Sequence, residues 1–215
     1  MRRVVLICFA LLTVAAAPAS AAKCRKHKGE TVVLRSARSI VTRAGTNSTD
    51  WVYRGCLFAR GRRYRLLTQD PGYPYGIDEV EKVKLAGPYA ALAIDHSQKG
   101  DGSVRLTVFD LRNGRAGSVT AGTHYQATGG DSYTLERLGL STHGAVAWRG
   151  THRMGYPGTE ETIQKVTVAD SHGTRVLDSG PPGSLAGPVF SDPLTVTWSH
   201  DDGHSARAFY GLPRP

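Results

Sequence analysis

The sequence Arg-Leu-Thr-Val-Phe-Asp-Leu-Arg-Asn-Gly at residues 105–114 combines a β-strand pattern with a turn signal. Apolar Leu106 and Val108 alternate with polar or charged residues, as on a strand that buries one face. Asn113-Gly114 suits a two-residue type I′ turn, because both central residues of that turn need a positive φ. The stretch therefore predicts a β-hairpin whose second strand begins near Ser118.

A second copy of this pattern, Lys-Val-Thr-Val-Ala-Asp-Ser-His-Gly, lies at residues 165–173. Short strand-like runs separated by Gly, Pro and Asp turns continue from Glu30 to Tyr210, and Asp201-Asp202-Gly203 is a further hairpin signal. No segment has a sustained apolar pattern at helical spacing, so we expect little helix. These observations predict an all-β chain of about four antiparallel units, repeated every 50–60 residues or so, slightly longer than propeller blades.

The repeat resembles the WD40-like β-propeller repeats of small exported bacterial proteins, although the Trp-Asp dipeptide of true WD40 repeats is absent. The matching positions are Gly144–Trp148, Val166–Gly173 and Arg175–Gly180, with a partial copy at Leu85–Gly114 and a degenerate one at Leu194–Trp198. The resemblance implies a β-propeller-like domain, closed or open, that binds a ligand or partner. A β-sandwich is the alternative fold.

Residues 1–22 have the pattern of a secretory signal peptide. Arg2 and Arg3 precede an apolar run at residues 4–14, and small residues follow at 19–22. That run is too short for a transmembrane helix, which needs roughly 20 apolar residues. We therefore expect residues 23–215 to form one exported domain without a transmembrane span, either extracellular or associated with the cell envelope.

Cys24 and Cys56 are the two cysteines outside the predicted signal peptide. In an oxidising compartment such a pair is expected to form a disulfide, which stabilises a loop of this length by about 3–4 kcal/mol. A two-cysteine metal site is the alternative, but no Cys-x-x-Cys motif or paired histidine supports it.

The net charge of +9 is distributed unevenly along the chain. Basic residues dominate from Lys23 to Arg65, whereas acids slightly outnumber them further on. A Cys24–Cys56 bond would bring the basic segment after Lys23 close to a second group, Arg54, Arg60, Arg62 and Arg63. We predict that Arg60, Arg62 and Arg63 bind an anionic cell-envelope polymer or an extracellular protein. A solvated surface accounts for the same charges equally well. We expect no nucleic-acid partner, because no nucleic-acid-binding motif is present.

Two loops share a Gly-Tyr-Pro core and carry Tyr73, Tyr75 and Tyr156. Exposed tyrosines on rigid loops suit contact with a sugar face or a partner protein, because the ring buries area at small entropic cost. These tyrosines are therefore further candidate binding residues. Rings folded back over the edge of the core are the alternative.

No motif in the sequence identifies a catalytic or metal site. His200 and His204 flank Asp201-Asp202, but turn formation explains these residues as well as metal binding does. Gly129–Ser132 is not a G-x-S-x-G nucleophile turn, and His124, His143 and His152 have no recognisable partners. We predict a secreted, non-catalytic binding or scaffold module without a cofactor or metal. The alternatives are a secreted hydrolase whose site is assembled across the repeats and a purely structural domain.

Overall fold

The computed structural model describes residues 24–45, 51–69, 76–98, 101–125, 130–155, 158–201 and 203–208. Within them the chain is all-β, as the sequence predicts. The strands are β1 (Glu30–Arg35), β2 (Ser39–Ala44), β3 (Trp51–Leu57), β4 (Arg63–Gln69), β5 (Ile77–Ala86), β6 (Tyr89–Gln98), β7 (Asp101–Asp110), β8 (Ala116–Tyr125), β9 (Ser132–Leu140), β10 (Val146–Met154), β11 (Glu161–Asp170), β12 (Gly173–Gly180), β13 (Leu185–Phe190), β14 (Thr195–His200) and β15 (Gly203–Ala208).

The strands form four antiparallel sheets, each a meander of consecutive strands. Sheet A contains β1–β4, sheet B β5–β8, sheet C β9–β12 and sheet D β13–β15. None of the four sheets closes on itself. The structure thus has the number of antiparallel units that the sequence repeat predicts.

Consecutive sheets pack face to face through apolar clusters. Val41 and Leu92 belong to the cluster between sheets A and B. Leu106 and Trp148 belong to that between B and C, and Val168 and Trp198 to that between C and D. The first strands of successive sheets also meet, β1 with β5, β5 with β9, and β9 with β13. In the described part of the chain no apolar cluster joins sheet D to sheet A.

The two sequence copies occupy equivalent places at the ends of β7 and β11. Asp110 and Asp170 are buried there, with exposed fractions of 4% and 1%. Arg112 donates two hydrogen bonds of 2.8 Å to Asp110, and Arg175 donates at 2.8 and 3.3 Å to Asp170. The repeat therefore encodes a hairpin end in which a buried carboxylate is neutralised by an arginine.

The predicted type I′ turn at Asn113-Gly114 is wrong. Residues 111–114 form a four-residue connection in which Gly114 has a φ of 79°, whereas Asn113 does not have a positive φ. The Asp110 carboxylate accepts hydrogen bonds from the backbone N–H of Arg112 and the side chain of Asn113. These bonds favour the longer turn.

Each first strand contains a β-bulge against its neighbour. In β5 the extra residue is Glu81, within Val80-Glu81-Lys82-Val83, and in β9 it is Glu136, within Leu135-Glu136-Arg137-Leu138. The β1 and β13 ladders shift register at Val32/Leu34 and Ala186/Val189. Since a bulge bends its strand and re-aims the side chains around it, the first strands present these residues differently from a regular sheet.

Candidate functional site

Cys24 and Cys56 form a disulfide with a Cα–Cα distance of 5.7 Å, as predicted. The bond is buried against Ile40 and Phe58. It attaches the exposed basic segment Arg25–Gly29 to strand β3 of sheet A. The two basic parts of the sequence therefore belong to one surface, which we call the basic surface.

Most Lys and Arg side chains of the basic surface are exposed. The exposed ones are Arg25, Lys26, Lys28, Arg35, Arg38, Arg60, Arg62 and Arg65. Aromatic rings of the same sheet order some of the guanidinium groups: Arg62 lies 5.1 Å from the ring centre of Tyr64, and Arg35 lies 5.2 Å from that of Phe58. Such stacking restricts a side chain and leaves its charge available to a partner.

Arg63 differs from Arg60 and Arg62, because it holds the one described carboxylate of sheet A. Glu30 is buried and accepts a 2.6 Å hydrogen bond from Arg63 and a 3.3 Å bond from Arg54. Burial raises the pKa of Glu30, but the bonds from Arg63 and from the His27 backbone outweigh it and hold the pKa below its usual value. Arg63 also donates to Thr42 at 2.8 Å, and its side chain is 18% exposed. The guanidinium group of Arg63 is therefore engaged by residues of sheet A, whereas Arg60 and Arg62 are exposed to solvent.

A cleft of about 550 Å³ opens on the basic surface beside this carboxylate. Lys28, Arg54 and Arg65 line it together with His27, Glu30 and Arg63. Because Arg63 and Arg54 neutralise Glu30, the remaining cations give the cleft a positive character. A cleft of this kind suits an anionic group.

Tyr73, Tyr75 and Tyr156 lie outside the described residues, and their binding role stays a prediction. The connection that carries Tyr73 and Tyr75 runs from β4 to β5, and the one that carries Tyr156 runs from β10 to β11.

The rings of His124 and Tyr133 lie between sheets B and C, and the sequence did not predict this arrangement. The side chain of His124 is 12% exposed and its Nε2 lies 3.6 Å from Asp95 Oδ1. Tyr133 packs edge-to-face on His152, with ring centres 6.3 Å apart. Glycines make room for both rings, since a Cβ at Gly102 would overlap His124 and one at Gly122 or Gly150 would overlap Tyr133.

These rings lie among polar atoms that lack hydrogen bonds. Asp95 Oδ1, Tyr133 Oη and His152 Nε2 are the buried side-chain atoms of the described chain without a hydrogen-bond partner. Burial raises the pKa of Asp95 and of Tyr133 above their usual values. For Asp95, attraction to His124 opposes this shift and repulsion from Glu79 adds to it. Beside the apolar cluster, the interface between B and C thus contains buried polar atoms without hydrogen bonds, which is costly for stability.

The histidines do not form a metal site in the described part of the chain, where no group of three or more His, Cys, Asp or Glu could hold an ion. His200 Nδ1 lies 3.0 Å from Asp178 Oδ1, and Trp198 Nε1 donates to Asp178 Oδ2 at 2.8 Å. Burial raises the pKa of Asp178, but the bonds from Trp198 and His200 outweigh it and lower the pKa. This cluster joins sheets C and D. Ser184 and His200 both approach Gly180, where a Cβ would overlap the serine hydroxyl.

A concavity lies where the first strands of sheets B, C and D meet, and we call it the axial cleft. Its volume is about 720 Å³. Its lining includes the cations Lys82, Lys84 and Arg137 and the apolar residues Pro188, Val189 and Phe190. The only visible signal for it in the sequence is the shared apolar-Glu-basic-apolar pattern of β5 and β9.

Comparisons with protein-family models, curated proteins and solved structures gave no match. No helix in the described residues is long and apolar enough to cross a membrane.

Proposed function

We propose that this protein is an exported, non-catalytic binding module whose basic surface binds an anionic polymer of the cell envelope. The observation that supports this most is the contrast in charge between sheets. In sheet A the one described carboxylate is buried and neutralised, while most cations are exposed. Unneutralised cations on one side of a protein attract a polyanion over about a Debye length, about 8–10 Å at physiological salt.

In sheets B and C, several arginines are paired with carboxylates. Arg112 pairs with Asp110, Arg175 with Asp170, and Arg149 with Glu136 at 2.7 Å. These guanidinium groups hold the hairpins and the bulged strand β9 and are already compensated. Other cations of B and C are unpaired, but they lie among many more carboxylates than sheet A contains, so attraction to a polyanion is expected mainly from sheet A.

Export and a propeller-like architecture belong to the same proposal. The charged and apolar pattern of residues 1–22 supports export, and the disulfide fits an oxidising compartment. The contacts between the first strands of successive sheets support an open propeller-like arrangement with these strands at its axis.

Binding of residues 23–215 to immobilised polyphosphate, used as a generic polyanion, tests the proposal. We expect the double substitution Arg60→Ala/Arg62→Ala to lower the affinity at least about tenfold. The matched control is Arg105→Ala/Arg115→Ala, which removes two exposed arginines of sheet B and should change the affinity by less than about twofold. Equal losses in the two variants, or no binding to polyphosphate at low salt, would contradict the proposal. Binding to acidic vesicles but not to polyphosphate would indicate a membrane instead of a polymer.

A secreted hydrolase is the second candidate function, favoured by one observation. His200 Nδ1 contacts Asp178, and its Nε2 lies 3.5 Å from Asp201 Oδ2 and close to Gly180, which Ser184 also approaches. Ser184 Oγ donates to the Pro181 carbonyl at 2.8 Å, so it would have to rotate before His200 could accept its proton. Ester hydrolysis that is lost in both Ser184→Ala and His200→Ala would favour this candidate over the binding module.

A further inference from the structure

We propose that the axial cleft is a second binding site, which takes a small ligand bearing a carboxylate on an aromatic or aliphatic body. This inference is independent of the polymer-binding proposal, because it uses different residues on different sheets. The cleft volume of about 720 Å³ lies within the range of small-molecule sites, about 300–1,000 Å³.

The charge of the cleft favours an anion. Its cations Lys82, Lys84 and Arg137 form none of the ion pairs found among the described residues. The carboxylate that lines the cleft, Glu136, is occupied by other partners. Arg149 donates to it at 2.7 Å and Gln164 at 2.8 Å, and Thr151 forms a short third bond.

Glu136 therefore does not compensate the cleft cations. Burial raises its pKa, but the bonds from Thr151, Gln164 and Arg149 outweigh that effect and hold the pKa below the usual value. The carboxylate stays ionised, and its negative charge is matched by Arg149 on the side of sheet D, where Arg149 also bonds the Leu185 carbonyl. Glu81 does not line the cleft but attracts Lys82, so the positive charge of the cleft comes mainly from Lys84 and Arg137.

The bulges explain how these cations come together. Glu81 and Glu136 are the extra residues of β5 and β9, and in each strand the next residue is a cleft cation, Lys82 or Arg137. Bulges are common near functional sites because they re-aim side chains. Both first strands thus have a bulge at their fifth residue, followed by a cation that lines the cleft.

The part of the cleft lining that strand β13 contributes is apolar. Val189 is 60% exposed, although it lies in strand β13, and Pro188 and Phe190 flank it. A cleft lined by an exposed apolar side chain and by cations without ion pairs suits a ligand that is anionic at one end and apolar at the other. Arg137 can bind a carboxylate through two parallel hydrogen bonds, which a neutral polar group cannot match.

Three probes that share a naphthalene ring and carry a negative, neutral or positive polar group test this site: 2-naphthoate, 2-naphthalenemethanol and 2-naphthylmethylammonium. We expect calorimetric titration of residues 23–215 to show naphthoate binding at least about tenfold tighter than the alcohol, and the ammonium compound binding weakest. Equal binding of the three probes, or no binding of naphthoate at millimolar concentration, would overturn the proposal.

Variants then locate the binding. We expect Lys82→Gln/Lys84→Gln and Arg137→Gln each to weaken naphthoate about tenfold and to leave the alcohol unchanged, whereas Val189→Asp should weaken both. Arg105→Gln, on β7 of sheet B, is the control and should leave naphthoate affinity unchanged. Equal weakening by this control would overturn the proposal. Arg60→Ala/Arg62→Ala should keep naphthoate affinity, so the cleft and the basic surface can fail separately. Unchanged thermal unfolding of each variant shows that the fold is intact.

Discussion

Sheet A and the pair of sheets B and C contain similar numbers of basic residues, but only in B and C do acidic residues match them in number. In B and C, arginines complete buried carboxylates such as Asp110 and Asp170 at the hairpin ends. Among the described residues of sheet A, Arg60 and Arg62 face solvent, and only Arg63 and Arg54 are paired with a carboxylate. Net charge alone therefore does not identify a binding surface, whereas the fraction of charge that is left uncompensated does identify one.

The largest expected effect on stability is that of the disulfide in sheet A. We expect Cys24→Ala/Cys56→Ala to lower the free energy of unfolding by about 3–4 kcal/mol, because the unfolded chain regains the entropy of an open loop. Urea unfolding of the variant and the oxidised parent measures this. A loss below about 1 kcal/mol would show that the basic segment is held by other contacts.

The buried carboxylates of B and C should rank next. We expect Asp170→Ala to cost about 2–3 kcal/mol, because it removes bonds to Arg175 and to the His172 backbone at a residue that is 1% exposed. The cost stays below that of a fully buried ion pair, since Arg175 can turn to solvent once its partner is lost. Asp101→Ala, at an exposed position of β7, is the control and should change stability by less than about 0.5 kcal/mol. Similar losses in both variants would contradict the structural role of the Asp–Arg pair.

The same carboxylates should determine the acid sensitivity of the fold. Burial raises the pKa values of Asp110 and Asp170, but bonds from Arg112 and Arg175 outweigh it, so both pKa values lie below the usual value of about 4. Their stabilisation is therefore present above about pH 4 and is lost as the pH falls through the lowered pKa values. Unfolding measured from pH 7 to pH 2 should show this decline, and Asp110→Asn/Asp170→Asn should flatten it.

The pKa of Asp95 is shifted in the opposite direction. Because it is raised, we expect Asp95→Asn to be more stable than the parent at pH 7 and to lose this advantage in acid.

The smallest effect concerns the poorly satisfied polar region between sheets B and C. Because Tyr133 Oη is buried without a hydrogen-bond partner, Tyr133→Phe should leave the stability unchanged or raise it by up to about 1 kcal/mol. Gly150→Ala is the contrasting variant and should destabilise, since its Cβ would overlap the Tyr133 side chain. A clear loss of stability in Tyr133→Phe would show that the hydroxyl has a partner in solution.

The sequence predicts those features that are encoded locally. The Thr-Val-x-Asp copies and the cysteine pair each lie within a short segment or a single pairing, and the structure contains both. The turn at Asn113-Gly114 differs because the Asp110 side chain competes for its donors.

Features that depend on contacts between strands far apart in the sequence, or between sheets, were not predicted. The bulges at Glu81 and Glu136 depend on strand register, and the axial cleft joins residues about 50 positions apart that lie on three strands. The role of Gly122 and Gly150 in seating Tyr133 also needs two packed sheets. The burial of Arg63 beneath the basic surface depends on Glu30 of another strand.

The most direct test of the contrast between the sheets is the salt dependence of polyphosphate binding. For the parent protein we expect the logarithm of the affinity to fall linearly and steeply with the logarithm of the salt concentration. The slope should become shallower in Arg60→Ala/Arg62→Ala and stay unchanged in Arg105→Ala/Arg115→Ala. A slope that is flat in the parent, or that falls equally in the two variants, would contradict the assignment of the basic surface as the binding surface.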